Sequence, residues 1–239
     1  MNLAVILSGG TESRTGLDIP KQYVEIHGRP MIDFCLETFF AHPEVDAVQI
    51  VADRAWREYI LGFVSQREKG PKSKGKFRGF SDPGVNRQLS IYHALTDLRE
   101  YGEAGDTVMI HDAARPFVKA EQISRCFRAM KGHDGVISVL PMKDTVYVTD
   151  GKRICSLLDR ERVCAGQAPE CFLFGKYDEA NRALLPDRIL SVNGSTEPAV
   201  LAGLDICFSQ GDEGNFKVTT EQDLEMFRRA VEERGRCKV

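Results

Sequence analysis

Apolar and polar positions alternate along the chain in two rhythms, one continuous and one helical. Leu3 to Leu7 is an unbroken apolar run that ends in Ser8-Gly9-Gly10, the pattern of a strand buried on both faces that stops in a glycine turn. Behind Gly28-Arg29-Pro30, the residues Met31, Ile32, Cys35, Leu36, Phe39 and Phe40 recur at helical spacing and predict a helix that ends before His42-Pro43. The same alternation continues. Ala47 to Ala52 predicts a strand, and Trp56, Ile60, Leu61 and Val64 predict a helix whose aromatic position reads as core. Arg67 to Lys76, with five lysines or arginines plus glycine and proline, reads as a solvated loop. A short strand over 76–80, a helix carrying Leu89, Tyr92, Leu95 and Leu98, and a buried strand from Thr107 to Ile110 come next. A helix through Ile123, Cys126, Phe127 and Met130 then leads to a strand from Val136 to Leu140.

At Pro141 the rhythm fails. Lys143 to Cys155 reads as two strands around an Asp150-Gly151 hairpin turn, so that 141–169 forms a β-arm leaving the sheet. Near the end, Thr220 with Asp223 three residues on makes a box-like start to a last helix. Repeated strand-helix units with one late hairpin predict a single α/β domain over 1–239, with a mostly parallel sheet covered by helices on both faces and a protruding β-hairpin arm.

Composition narrows the function classes. A chain of 239 residues with 42% hydrophobic and 28% charged content is ordinary for a globular protein, and a net charge of −3 supplies no global basic field to attract nucleic acid. The first strand begins almost at Met1, without a leader pattern, and no apolar stretch approaches membrane-spanning length, so a cytoplasmic location without membrane contact is expected. The seven cysteines are scattered without a C-x-x-C pair, and the five histidines lack H-E-x-x-H spacing. That pattern argues for reduced thiols and against a protein-built metal centre.

The candidate chemistry lies at the strand ends. Paired glycines let backbone N–H groups approach an anion closely, and Arg14 and Lys21 from the same loop add two positive charges, a combination suited to phosphate. The loop is neither G-x-x-x-x-G-K-S/T nor G-x-G-x-x-G. A strand-to-loop turn with solvated charges is its bland alternative. Gly84-Val85-Asn86-Arg87-Gln88-Leu89-Ser90 opens a helix whose first turn offers N–H groups and a favourable dipole to an anion, with Arg87 and Ser90 at hand. His111-Asp112-Ala113-Ala114-Arg115-Pro116 follows the third buried strand, where open α/β sheets bind ligands; a helix cap or surface acid is the competing reading of Asp112.

These segments carry a resemblance. Gly9-Gly10, Arg14 and Pro20-Lys21-Gln22-Tyr23 resemble the signature loop of the sugar-phosphate nucleotidyltransferases, in particular the 2-C-methyl-D-erythritol 4-phosphate and ribitol 5-phosphate cytidylyltransferases. His111 to Pro116 is similar to the hallmark of the methylerythritol-phosphate enzymes, and Gly9-Gly10, Asn86-Arg87, Trp56 and Gly166-Gln167 look closer to the ribitol-phosphate ones. Asp159-Arg160 with Gly166-Gln167-Ala168-Pro169-Glu170 resembles D-R-x-x-x-x-x-Q-T-P-Q, and Asn215 to Thr219 resembles N-x-K-V-T. The chain departs from the pattern where Glu12 replaces a glycine, Ala168 a threonine, Glu170 a glutamine and Thr196, after Ser195, an aspartate.

The resemblance implies a Rossmann-like nucleotidyltransferase fold and transfer of CMP from CTP to a polyol phosphate. 2-C-Methyl-D-erythritol 4-phosphate is the favoured acceptor, with D-ribitol 5-phosphate as the alternative. The departures leave a nucleotide-binding protein without effective turnover as a reading of another class. Implied roles follow the matched positions: Ser8, Gly9, Gly10, Gly84, Arg87 and Ser90 hold CTP, while Arg14, Lys21 and Lys217 act in catalysis. Asp112, Arg115, Thr145, Arg160, Ser195 and Lys217 hold the acceptor, and Asp112 also meets a Mg²⁺ carried largely by the nucleotide phosphates. The resemblance further implies a homodimer in which the arm crosses to the partner, bringing Thr145 and Arg160 into its site. An ordinary surface hairpin is the other reading of the arm.

Overall fold

The computed structural model describes residues 1–10, 19–71 and 73–236. Its elements, in chain order, begin with β1 (Asn2–Leu7), the two-residue strands β2 (Glu25–Ile26) and β3 (Arg29–Pro30), α1 (Met31–Ala41), β4 (Ala47–Val51), α2 (Arg54–Arg67) and β5 (Phe77–Ser81). They continue with α3 (Arg87–Leu98), β6 (Thr107–Asp112), α4 (Ala120–Ala129), β7 (Gly135–Pro141), β8 (Val146–Thr149), β9 (Ile154–Leu158) and β10 (Cys164–Leu173). The last are α5 (Phe174–Arg182), α6 (Glu197–Leu201), β11 (Ile206–Gln210) and α7 (Glu221–Arg236).

The central sheet has the order β11-β7-β10-β6-β1-β4-β5. Side chains of β1 alternate between its faces, as a strand must. Ala4 and Ile6 pack with Ile32, Leu36, Phe39, Ile60 and Ile123 from α1, α2 and α4, whereas Leu3 and Val5 pack with Ile91, Leu95, Leu98 and Tyr177 from α3 and α5. Burial on both sides accounts for the unbroken apolar run. The chain steps outward from β1 to β4 to β5 and then returns past them to β6. Right-handed crossovers send helices of outward and returning steps to opposite faces, so α1 and α2 cover one face and α3 the other. Beside β1 the strand order reverses, and there the carboxyl ends of β1 and β6 leave a crevice. Leu7 stands level with Asp112 across that pair, so the glycine turn and the aspartate meet by register.

Two segments differ from the sequence reading. Strand β10 runs antiparallel to both β6 and β7, because the chain returns to the sheet from the arm without a crossover helix to restore its direction. Residues 164–169 therefore belong to β10, and the excursion is confined to 142–163, where β8 and β9 pair around 150–153 as the hairpin pattern predicts. The segment over 67–76 is not simply solvated. Arg67 closes α2 in an ion pair with the buried Asp33, and the buried Lys76 donates from Nζ to the His42 carbonyl at 2.6 Å. The start of α7 follows the sequence pattern: Asp223 N–H donates to Thr220 Oγ1 at 3.2 Å, and Asp223 Oδ2 accepts from the Thr219 and Thr220 N–H groups at 2.8 Å.

Candidate active site

Two cavities open at the carboxyl ends of the strands. The first, about 590 Å³, is bounded by Gly9, Gly10, Lys21, Gly84, Ser90 and Thr219; the second, about 470 Å³, by Arg115, Gln167, Glu170, Asn193, Ser195 and Thr196. Arg87, Asp112 and Lys217 line both, and so form the wall between them.

The glycine turn is shaped by what it must avoid. A Cβ on Gly9 would fall 2.5 Å from Pro83, so the turn packs tightly beneath, while a Cβ on Gly10 would meet nothing within 4 Å, so its upper side is open. Gln22 and Tyr23 hold this turn from behind. Gln22 Nε2 donates to the Ser8 and Gly10 carbonyls, each at 2.8 Å, and the Tyr23 hydroxyl donates to the Ser8 carbonyl at 2.8 Å while accepting from Ser8 Oγ at 2.9 Å. Ser8 is consequently buried and bonded inward, and it does not reach the cavity as the resemblance implied. Trp56 stacks on Tyr23 with 4.2 Å between ring centroids and so packs, partly buried, against the core.

Opposite the turn, Asn86 caps α3, accepting from Leu89 N–H at 2.8 Å and donating to the Ile189 and Leu190 carbonyls. Ser90 Oγ accepts from Gly84 N–H at 2.9 Å and donates to the Asn86 carbonyl at 2.9 Å. Its hydroxyl thus shapes the loop that borders the cavity. Gly84 has no room for a side chain, since a Cβ there would lie 2.6 Å from Leu89.

Asp112 anchors the shared wall. Its Oδ1 accepts from Arg87 Nε and Nη2 at 3.1 and 3.0 Å, its Oδ2 lies 3.0 Å from Lys217 Nζ, and Arg115 Nε stands 3.8 Å away. Burial alone would raise its pKa, but Arg87, Lys217 and Arg115 outweigh burial and hold the carboxylate well below its ordinary range. Lys217 is aimed by its neighbours. Asn215, fully buried, donates to the Ala168 carbonyl and Gln122 Oε1, its own carbonyl accepts from Arg115 Nη1, and Val218 N–H donates to the Ala114 carbonyl at 2.8 Å. Gln167 ties β10 to the same loop through Asp212 and Asn215. His111 is buried, with Nε2 3.0 Å from the Arg115 carbonyl, and so fixes the turn that carries Arg115.

Of the residues singled out from sequence, Gly9, Gly10, Lys21, Gly84, Arg87, Ser90, Asp112, Arg115, Ser195 and Lys217 meet around these cavities. Arg14 and Glu12 lie outside the described residues. Thr145 and Arg160 are exposed on the arm and line neither cavity of their own chain; Arg160 Nη1 donates to the Lys143 carbonyl at 3.0 Å. The sequence reading missed Gln22, Tyr23, Asn215 and Glu170 as site builders. Their only signal was membership of the matched motifs, because the first three act mainly through main-chain carbonyls that any residue supplies.

Two cations around one ionised carboxylate leave net positive charge on the wall between the cavities, which suits each of them to an anionic group. The family model of IspD, 2-C-methyl-D-erythritol 4-phosphate cytidylyltransferase, matches residues 2–233. A relative of that name from Thermotoga neapolitana is 30% identical over 233 residues, 98% of each chain. A ribitol-5-phosphate cytidylyltransferase from Lacticaseibacillus paracasei is 27% identical over 237 residues, 98% of this chain and 99% of that one. The bifunctional enzyme IspD/IspF of Bradyrhizobium diazoefficiens is 34% identical over 221 residues, 92% of this chain and 53% of the relative, so the chain spans about half the length of that protein. The solved structure of 4-diphosphocytidyl-2C-methyl-D-erythritol synthase from Anaerococcus prevotii shares the fold, with a TM-score of 0.80 and 21% identity over 96% of that chain and 97% of this one. The chain belongs to the 2-C-methyl-D-erythritol 4-phosphate cytidylyltransferase family.

Proposed function

We propose that the protein transfers CMP from CTP to the phosphate of a polyol phosphate, with 2-C-methyl-D-erythritol 4-phosphate as the acceptor and pyrophosphate as the second product. The observation that carries this reading is the wall of Arg87, Asp112 and Lys217 shared by two cavities, one bordered by the glycine turn and Lys21, the other by Arg115 and Ser195. The nucleotide phosphates take the first cavity and the acceptor the second. An acceptor phosphate has a second pKa near 6, is largely dianionic at pH 7 and needs no general base. One of its oxygens attacks the α-phosphorus of CTP, a new P–O bond forms, the bond from the α-phosphorus to the bridging oxygen breaks, and pyrophosphate leaves. Lys21, Arg87 and Lys217, with Arg14, offset the charge that collects on the α-phosphate and the leaving group.

A divalent ion, for which magnesium is the proposed identity, fits this donor set. Magnesium takes one or two carboxylates plus substrate phosphate oxygens and retains waters. Among the described residues no cluster of three or more His, Cys, Asp or Glu gathers to hold a metal, whereas the strongly ionised Asp112 reaches both cavities. Asp112 and the phosphates would hold the ion, which would offset the charge of the phosphates.

The arm supports a homodimer. Tyr147, Val148, Ile154, Leu157 and Leu158 are exposed on it, an apolar surface that a second copy of the chain would bury, and Thr145 and Arg160 would then enter the partner's second cavity. No helix among the described residues is long and apolar enough to cross a membrane, and we propose that the enzyme works in the cytoplasm.

Ribitol 5-phosphate is the second reading, favoured by the full-length likeness to a ribitol-5-phosphate cytidylyltransferase. Pyrophosphate release with CTP, magnesium and a panel of polyol phosphates tests the proposal. Turnover highest with the methylerythritol phosphate is the expected result; preference for ribitol phosphate overturns the acceptor, and CTP binding without turnover leaves a binding protein.

A further inference from the structure

Glu170 on β10 and the Ser195-Thr196 pair at the start of α6 are separate in the chain and meet in the fold. Glu170 Oε2 accepts from Thr196 Oγ1 at 3.0 Å and from Ser195 Oγ at 2.5 Å, and all three residues border the second cavity. A carboxylate seated on β10 is therefore held at the second cavity by the segment that begins α6. A register shift between Gln167 and Glu170, where β10 runs against β7, sets the position of Glu170 at this point.

Both hydrogen bonds go to one oxygen. Among the described residues none is made to Oε1, so half of the acceptor capacity of this half-buried carboxylate remains for whatever fills the cavity. The other charged groups of the cavity already have their work. Arg87, Arg115 and Lys217 surround Asp112 and face the place of a phosphate, which Glu170 would repel. Burial pushes the Glu170 pKa upward while Arg87 and the two hydroxyls oppose it. An acceptor oxygen away from the phosphate calls for a hydroxyl donor.

We propose that Glu170 is a specificity-determining residue for the acceptor, its Oε1 taking a hydrogen bond from a hydroxyl of the polyol chain. The proposal rests on the reading of the second cavity as the acceptor site. It requires no change in the nucleotide cavity, since Glu170 lines only the second.

Calorimetric titration in the presence of a non-hydrolysable CTP analogue tests it without turnover. The probes are 2-C-methyl-D-erythritol 4-phosphate, ribitol 5-phosphate and ethyl phosphate, which has a phosphate but no hydroxyl. The wild type is expected to bind at least one polyol phosphate tenfold or more tighter than ethyl phosphate. Glu170→Gln, whose amide oxygen still accepts from Ser195 and Thr196, should shrink that preference to about threefold and leave affinity for the CTP analogue unchanged. Placing an acid opposite, in Glu170→Gln with Thr196→Asp, should recover most of the preference. Equal weakening of polyol and ethyl phosphates would make Glu170 a support for the Ser195 segment only and overturn the proposal, as would a preference unchanged in Glu170→Gln or absent in the wild type. A wild type that binds polyol phosphates in a Glu170-dependent way yet transfers no CMP would overturn the transferase reading and uphold this one.

Discussion

His111 and Asp112 are consecutive at the end of β6 and take opposite electrostatic courses. Asp112 faces three cations and stays ionised, whereas His111 points into the core, 5.2 Å from the Phe39 ring, and burial lowers its pKa to about 4. Its Nε2 donates to the Arg115 carbonyl, so the neutral tautomer with the proton on Nε2 serves the fold. The consequence for stability has a definite sign. Below the unfolded value of 6.5 the unfolded chain binds a proton that folded His111 refuses until about pH 4, so stability falls as pH drops through that window. At pH 5 the loss amounts to about 2 kcal/mol. Urea unfolding at pH 7 and pH 5 checks it: His111→Asn, which still offers a donor to Arg115, should lose about that much less than the wild type between the two. His42, also buried with a lowered pKa, contributes in the same direction in both proteins and cancels in the comparison. Equal losses in the two proteins would assign the pH dependence to other groups.

Among the elements, the short turn over Lys21–Tyr23 does two jobs. Lys21 borders the first cavity, proposed for the nucleotide, while Gln22 and Tyr23 brace the glycine turn at the end of β1. The motif pointed to the lysine, because a charge beside glycines is chemically suggestive by itself. It could not point to the glutamine, whose partners are two main-chain carbonyls made adjacent only by folding. Gln22→Ala removes both donors from a buried position, and a cost of about 1–3 kcal/mol in urea unfolding is expected. Loss of the brace should also weaken CTP binding about tenfold, roughly 1.4 kcal/mol, in a calorimetric titration. Full CTP affinity in a destabilised Gln22→Ala would show that the turn keeps its shape unaided. Asn215 does comparable work for Lys217: its side chain joins α4 and β10 to the loop, and its carbonyl receives Arg115.

For the whole molecule, the question is whether one chain makes a complete site. Its own two cavities are walled by β1, β6, β10 and the segments around them, while the arm stands apart with apolar side chains exposed. A site finished by a partner's arm predicts complementation. Arg160→Ala and Lys21→Ala chains, each inactive alone, should regain about a quarter of wild-type activity when co-expressed, since half of the dimers are mixed and each of those holds one intact site. Demonstrated mixed dimers without recovered activity would place Arg160 in the site of its own chain or in none.

The sequence by itself marked β1, α1, β4, α2, β5, α3, β6, α4, β7, the hairpin and α7, because two-sided burial writes a continuous apolar run at β1 and one-sided burial writes helical spacing in α1 and α3, but it did not mark β10, α5, α6 or β11. It also determined the charged chemistry at the strand ends, where Lys21, Arg87, Asp112 and Lys217 stand in recognisable order. Tertiary structure decided what those residues face. The β1–β6 register set Asp112 level with the glycine turn, the arm's return reversed β10, and the bend before Glu170 brought its carboxylate against Ser195 and Thr196. Each of these rests on contacts between positions tens of residues apart, whose energies depend on distance and burial, and neither quantity exists along the chain until it folds.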